Sequence, residues 1–154
     1  MSINLPIYNN EALASICLGH YLFFSREVSY AKAMLILPFV FHEQTAQRLR
    51  GNSKKRSLDE YILSNTDTLI NFNKRYIDFL PIGVNAIMML GEMQIIKVSS
   101  KNIFFNSGET EFNPQLFNRI GNRAKLLLTS VEGLMPILRH EEDWSAYLKL
   151  KIFL

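Results

Sequence analysis

Apolar residues recur at helical spacing along most of this chain and give way to alternation only briefly. Asn9 or Asn10 can cap a first helix whose apolar face is Leu13, Ile16, Cys17, His20 and Phe24. Tyr30 to Arg50 reads as mostly helical, with an apolar first half, a kink expected at Pro38 and a polar second half ending at Gly51. After a basic loop, Asn52 to Arg56, the run Ser57-Leu-Asp-Glu60 has the form of a capping box and opens a short helix through Ser64. Asn65 or Thr66 caps the next helix, with Leu69, Phe72, Tyr76 and Phe79 on its face. Phe79-Leu-Pro-Ile82 reads as a turn, and Gly83 to Glu92 as a short, very apolar helix.

The period then changes. Met93 to Ser99 and Asn102 to Asn106 flank Ser100-Lys101 and predict a β-hairpin. Asn113-Pro114 places a cap before a proline at the first helical position, so a long helix is expected from there. Its apolar positions are Phe117, Ile120, Ala124, Leu127, Val131, Leu134 and Leu138, with a break expected from Gly133 and Pro136. In the tail, Leu148, Leu150 and Ile152 alternate with Lys149 and Lys151, a strand pattern that could pair with the hairpin. The expected fold is α+β and predominantly helical, a single domain over 1–154. Its core, 9–106, is like a winged helix-turn-helix, and 113–154 forms the C-terminal helix and tail. Thr66 to Phe79 would be the first helix of the motif, Gly83 to Glu92 the helix in recognition position, and Ser99 to Asn102 the wing.

Composition narrows the classes. A chain of 154 residues with 48% hydrophobic and 20% charged residues is ordinary for one globular domain. Seventeen Lys and Arg against fourteen Asp and Glu leave only +3, too weak a bias to announce a nucleic-acid binder. One cysteine excludes an intrachain disulfide framework. The start lacks the pattern of a secretory signal, and the longest apolar run, Ala33 to Phe41, is far short of the ~20 residues of a spanning helix. A cytoplasmic chain without membrane contact is expected.

Four segments carry a family resemblance: Asn10-Glu-Ala-Leu13, Leu35-Ile-Leu-Pro-Phe-Val-Phe-His42, Arg56-Ser-Leu58, and the stretch from Asn73 to Leu90. Together they resemble the middle component of bacterial three-component ABC systems, of which the Lamassu anti-phage systems are a branch. The resemblance covers roughly residues 9 to 106. It implies a small non-enzymatic subunit beside an SMC-like ABC ATPase and an effector that is often a nuclease. The chain has no Gly-x-x-x-x-Gly-Lys-Ser/Thr loop with which to be the ATPase itself.

Candidate chemistry is sparse. His20, His42 and His140 lack metal-ligand spacing, although Cys17 and His20 share a helix face and could form half a metal site or simply line a core. Asp59-Glu60 and Glu141-Glu142-Asp143 suit helix first turns better than acid–base work. No catalytic, cofactor or metal residue is assigned. Arg48, Arg50, Lys54, Lys55 and Arg56 form an acid-free basic run that could track phosphates of double-stranded DNA, or stay a solvated loop. The helix in recognition position offers only Asn85 to read a base, which argues against sequence-specific binding. On the helix after Asn113, Leu126 and Leu128 widen the apolar stripe, with Arg119, Arg123, Asn122 and Lys125 on its other faces. That helix is expected to be double-sided, one edge in the core and the other on the ATPase or a second copy of the chain. The leading expectation is an adaptor that joins ATPase and effector, with non-specific DNA contact. The alternative is a small winged-helix DNA-binding transcriptional regulator, and an unrecognised enzyme is a weaker third.

Overall fold

The computed structural model describes residues 5–51, 55–108, 112–114, 119 and 121–153. Among these the chain is predominantly helical with one small antiparallel sheet. α1 spans Leu5–Ser25, longer at its start than the Asn9 or Asn10 cap implied, and buries Ala14, Cys17, Leu18, Tyr21 and Leu22. It closes where Arg26 takes a φ of 68° and donates its N–H to the Leu22 carbonyl at 2.8 Å. β1, Glu27–Ser29, follows at once, a strand with no periodic signal of its own. It exists because Val28 meets Ile103 and Glu27 meets Phe104 across the sheet. Ser29 then accepts from the Lys32 N–H at 3.1 Å, capping α2, Tyr30–Val40.

The expected kink at Pro38 does not end the helix. Proline removes one backbone hydrogen bond at a cost of about 3 kcal/mol. Leu35, Ile36, Leu37, Phe39 and Val40 are all buried around it, each contributing about 1.5–3 kcal/mol for a large side chain. The chain turns instead at Phe41 and His42, where His42 is extended, and α3, Glu43–Arg50, begins. α4, Leu58–Asn65, carries the expected Ser57 cap, whose hydroxyl accepts from the Glu60 N–H at 3.1 Å, but the Glu60 carboxylate reaches past the cap residue and accepts from the Arg56 N–H at 2.8 Å.

After a 3-10 turn at Thr66–Leu69, α5 runs unbroken from Phe72 to Glu92. The turn expected at Phe79–Ile82 does not form, and the tight helix-turn-helix pair disappears with it. The reason lies in the phase of the stripe. Phe72, Tyr76, Phe79, Gly83, Ala86 and Leu90 step by four and three across Pro81, so one straight helix buries them together. Pro81 lies on the exposed side. Gly83 meets the Met34 and Leu37 side chains of α2, where an added Cβ would lie 3.3 Å from the Met34 methyl.

The hairpin is present as expected. β2, Ile96–Val98, and β3, Asn102–Phe105, pair with Val98 opposite Ile103, and the sheet order is β1-β3-β2. The Ser99 hydroxyl ties the turn by accepting from the Asn102 N–H at 3.1 Å. α6, Asn122–Leu138, starts after Gly121, whose φ of 128° is outside helical geometry, and not at Pro114. Phe117 and Ile120 lie outside the described residues. Ala124, Leu127, Val131, Leu134 and Leu138 are buried as their spacing predicted.

Neither Gly133 nor Pro136 breaks α6. Gly133 instead lets α3 come close, for a Cβ there would collide with the Leu49 carbonyl group. The described part of the tail is not a strand: its start belongs to a helix, α7, Asp143–Lys149, and a turn at Leu150 and Lys151 follows. Glu142 and Asp143 at its start favour the helix dipole, and Lys151 at φ 57° closes it, with the Ile152 N–H on the Tyr147 carbonyl at 3.0 Å. α5 packs on α1 and α2, and α6 on α3, α1 and α2, so the core lies among these helices with the sheet at one end of α5.

The Gly133 contact is directly testable. Gly133→Ala should destabilise the fold by at least ~1–3 kcal/mol, because the obstacle is backbone and not a movable side chain. Thermal melting should show a loss of about 2–4 °C for each kcal/mol.

Candidate functional site

The titratable residues singled out by type are occupied with structure. His20 is buried on α1, its Nε2 3.1 Å from Glu132 of α6 and its ring edge-on to Phe24. Burial lowers its pKa, and the hydrogen bond and charge of Glu132 only partly oppose this. Cys17 is equally buried, and burial pushes its thiol up to about 12, the opposite of an activated thiolate. Among the described residues, no group of three His, Cys, Asp or Glu converges as a metal site. His42 hydrogen-bonds the Thr45 hydroxyl at 2.8 Å, with a pKa lowered by burial and by Arg75.

The two acidic clusters meet a common lysine. Lys149 Nζ lies 2.9 Å from Asp59 and 2.8 Å from Glu141, joining α4 to α7. Burial acts to raise the Glu141 pKa, but hydrogen bonds from Lys149 and Ser145 outweigh it and hold the carboxyl below its usual value. Asp143 accepts from the Ser29 hydroxyl at 2.8 Å. These carboxylates are braces between elements.

Of the basic run, Arg48, Arg50 and Lys55 line one cavity between α3, α4 and α6. Arg48 donates to Asn65 at 2.9 Å and pairs with Asp67 at 3.3 Å. Arg50, largely buried, donates to Ser130 of α6 at 3.0 Å and pairs with Glu43 at 3.1 Å. Lys55 is half-buried and Arg56 exposed, while Lys54 lies outside the described residues. Asn85 donates to Glu11 of α1 at 3.2 Å, so the one residue suited to base reading is also engaged. Arg119, ahead of α6, and Arg123 on it are exposed, but the two leucines part company: Leu126 is 48% exposed and Leu128 only 4%. One leucine belongs to the core and the other to the surface.

What the sequence reading missed is a pair of apolar surfaces at the two ends of α5. The first is a groove of about 600 Å³ between α2, the second half of α5 and the hairpin, lined by Tyr30, Met34, Val84, Met88 and Val98. Met88 is 59% exposed. The second, about 400 Å³, lies where the 3-10 turn and the start of α5 meet the end of α7, and includes Ile62, Ile70 and Phe153 beside Lys149 and Lys151. Leu63 of α4 and Trp144 and Leu148 of α7 are also strongly exposed. From Asn73 to Met88 is about 20 Å along α5 at ~1.5 Å per residue. A signal existed: Leu80, Val84 and Met88 form a second ladder at four-residue spacing, off the buried stripe.

Two uncovered apolar surfaces are what a subunit of a larger assembly carries. A family model described as ABC-three component (ABC-3C) system Middle Component 3 matches residues 6–141, and the chain belongs to this family. It is therefore a component of a three-component ABC system, as the four resembling segments implied. No curated protein and no solved structure gives a significant match. Among the described residues, no helix is long and apolar enough to cross a membrane.

Two outcomes follow from the packing. Leu128→Ala should cost about 2–5 kcal/mol of stability as a buried truncation, whereas Leu126→Ala should stay within ~0.5 kcal/mol; thermal melts of the isolated chain separate them. The second concerns pH. His20 has a folded-state pKa below its ordinary 6.5, so above that pH it is neutral in both states and changes nothing. Below it, the unfolded chain takes up a proton that the folded chain resists. Stability should therefore decline by up to ~1.4 kcal/mol per pH unit as pH falls from about 6.5 toward the folded value. Denaturant titrations of wild type and His20→Gln check this, the variant having the flatter profile.

Proposed function

We propose that this chain is a non-enzymatic adaptor in a bacterial anti-phage defence complex of the Lamassu type. In the cytoplasm it would bridge an SMC-like ABC ATPase and an effector, often a nuclease. The observation that carries this reading is the pair of apolar surfaces near the two ends of α5, about 20 Å apart along it. Two separated surfaces let two partners sit on one small subunit without competing for the same contact. Membership in a middle-component family supports the same reading, because such a component has partners by definition of the system.

DNA contact in this proposal is non-specific and secondary. Lys55 and Arg56 have no ion pair among the described residues and can meet phosphates, whereas Arg48 and Arg50 already hold α3 in place. The regulator reading draws on one observation, the sheet order β1-β3-β2 with a hairpin following a long helix, which is like a winged helix whose wing is β2-β3. Against it, the half of α5 beside that wing, Gly83 to Glu92, carries no Lys or Arg to anchor it on a duplex.

Co-expression of the three components tests the adaptor reading. ATPase and effector should co-purify when this chain is present, and capture of one by the other should fall at least ~10-fold without it, a loss of about 1.4 kcal/mol or more in apparent affinity. Equal capture in its absence would overturn the bridging role.

A further inference from the structure

Among the described residues none covers the groove at the hairpin end of α5, and its shape and charge restrict what can fill it. Its length follows α5 from Leu80 to Glu92, about 18 Å at ~1.5 Å per residue, which is some three helical turns. Its floor is Ile87, buried in the core, and its walls are Met34 of α2 and Val98 of the hairpin. The Tyr30 N–H donates to the Lys101 carbonyl at 3.1 Å, so the start of α2 and the hairpin turn are held together and the walls are preformed. The exposed methionine side of the groove adapts to irregular apolar shapes.

The charge at one end is equally specific. Glu92 is exposed, lies in the groove lining, and has no hydrogen bond or ion pair among the described residues. It sits at the C-terminus of α5, where the helix dipole adds negative potential. No lysine or arginine is among the described residues lining the groove. An occupant with a cation at that end gains a charge-assisted contact that no described group of this chain supplies.

We propose that this groove takes an amphipathic helix from another component of the system, its apolar stripe on Val84, Met88 and Met34 and one Lys or Arg on Glu92. This rests on the adaptor reading and specifies one of its two contacts. A helix fits better than an added strand, because the edge strand β2 is only three residues long. It also fits better than a second copy of this chain. A two-fold contact must be self-complementary, and a groove cannot fill a groove.

The test uses the assembled complex and the variant Met88→Cys labelled with benzophenone maleimide. The native Cys17 is 1% exposed, so the label goes to the introduced thiol alone. Irradiation should cross-link one peptide of the ATPase or the effector, with apolar residues at three- and four-residue spacing and a Lys or Arg within a turn. Val84→Asp should abolish capture of that component, and Glu92→Lys should weaken it at least ~10-fold. Cross-linking to a second copy, or an intact complex that gives no cross-link or ignores both substitutions, overturns the groove assignment and leaves the adaptor reading standing. A complex that does not form from wild-type chains overturns both.

Discussion

The stripe of Phe72, Tyr76, Gly83, Ala86 and Leu90 can be buried as one surface only if α5 remains one helix across Pro81. The balance is decisive. A proline inside a helix costs about 3 kcal/mol, whereas each large apolar side chain returned to water would cost about 1.5–3 kcal/mol. Breaking the helix at Phe79–Ile82 would rotate Ala86, Ile87 and Leu90 out of phase with the first half. The straight helix also sets the distance between its ends, with the hairpin at one and α7 at the other. Both apolar surfaces follow from that one constraint.

The remaining elements are held to this frame by small numbers of specific contacts. α7 is joined to α2 by the Tyr147 hydroxyl, which donates to the Ala31 carbonyl at 2.7 Å and lies 3.0 Å from the Tyr76 hydroxyl of α5. Burial pushes the Tyr147 pKa upward, reinforced by its neighbour Tyr76, so the phenol stays protonated and able to donate. At the chain's end, the Phe153 N–H donates to Asn73 of α5 at 2.9 Å. α3 is fixed on α6 twice, by Arg50 reaching Ser130 and by Gly133 admitting the Leu49 carbonyl. Charges that looked free along the sequence are thus largely spent on holding helices together.

That expenditure shapes the functional picture. Residue types that suggest chemistry in isolation, the buried His20 and Cys17, are held where burial suppresses their charged forms. Several large apolar side chains are left exposed: Val84, Met88, Leu63, Leu148, Trp144 and Phe153. A surface of that kind gains free energy when another protein covers it. In a chain whose family is defined by a three-component system, the partners are the other components.

Local signals were legible in the sequence wherever a few neighbouring residues decide the outcome. The Ser57–Glu60 cap, the turn at Ser99–Asn102, the stripes of α1 and α6, and the family resemblance all stood in the order of residues. Where a distant partner decides, the same signals misled. β1 has three residues and no periodicity, and forms only because β3 offers it a ladder. The alternating tail looked like a strand, but a strand there needs a free sheet edge in reach, and the Asp143 turn instead winds its start into a helix against α2 and α5. Leu126 and Leu128 are indistinguishable by type and differ only in which side of α6 meets α3 and the core. Pro81 and Gly133 read as breaks, because a proline or glycine states its local cost in the sequence. The burial that outweighs the cost at Pro81, and the backbone that needs the space at Gly133, belong to other helices and appear only in the tertiary structure.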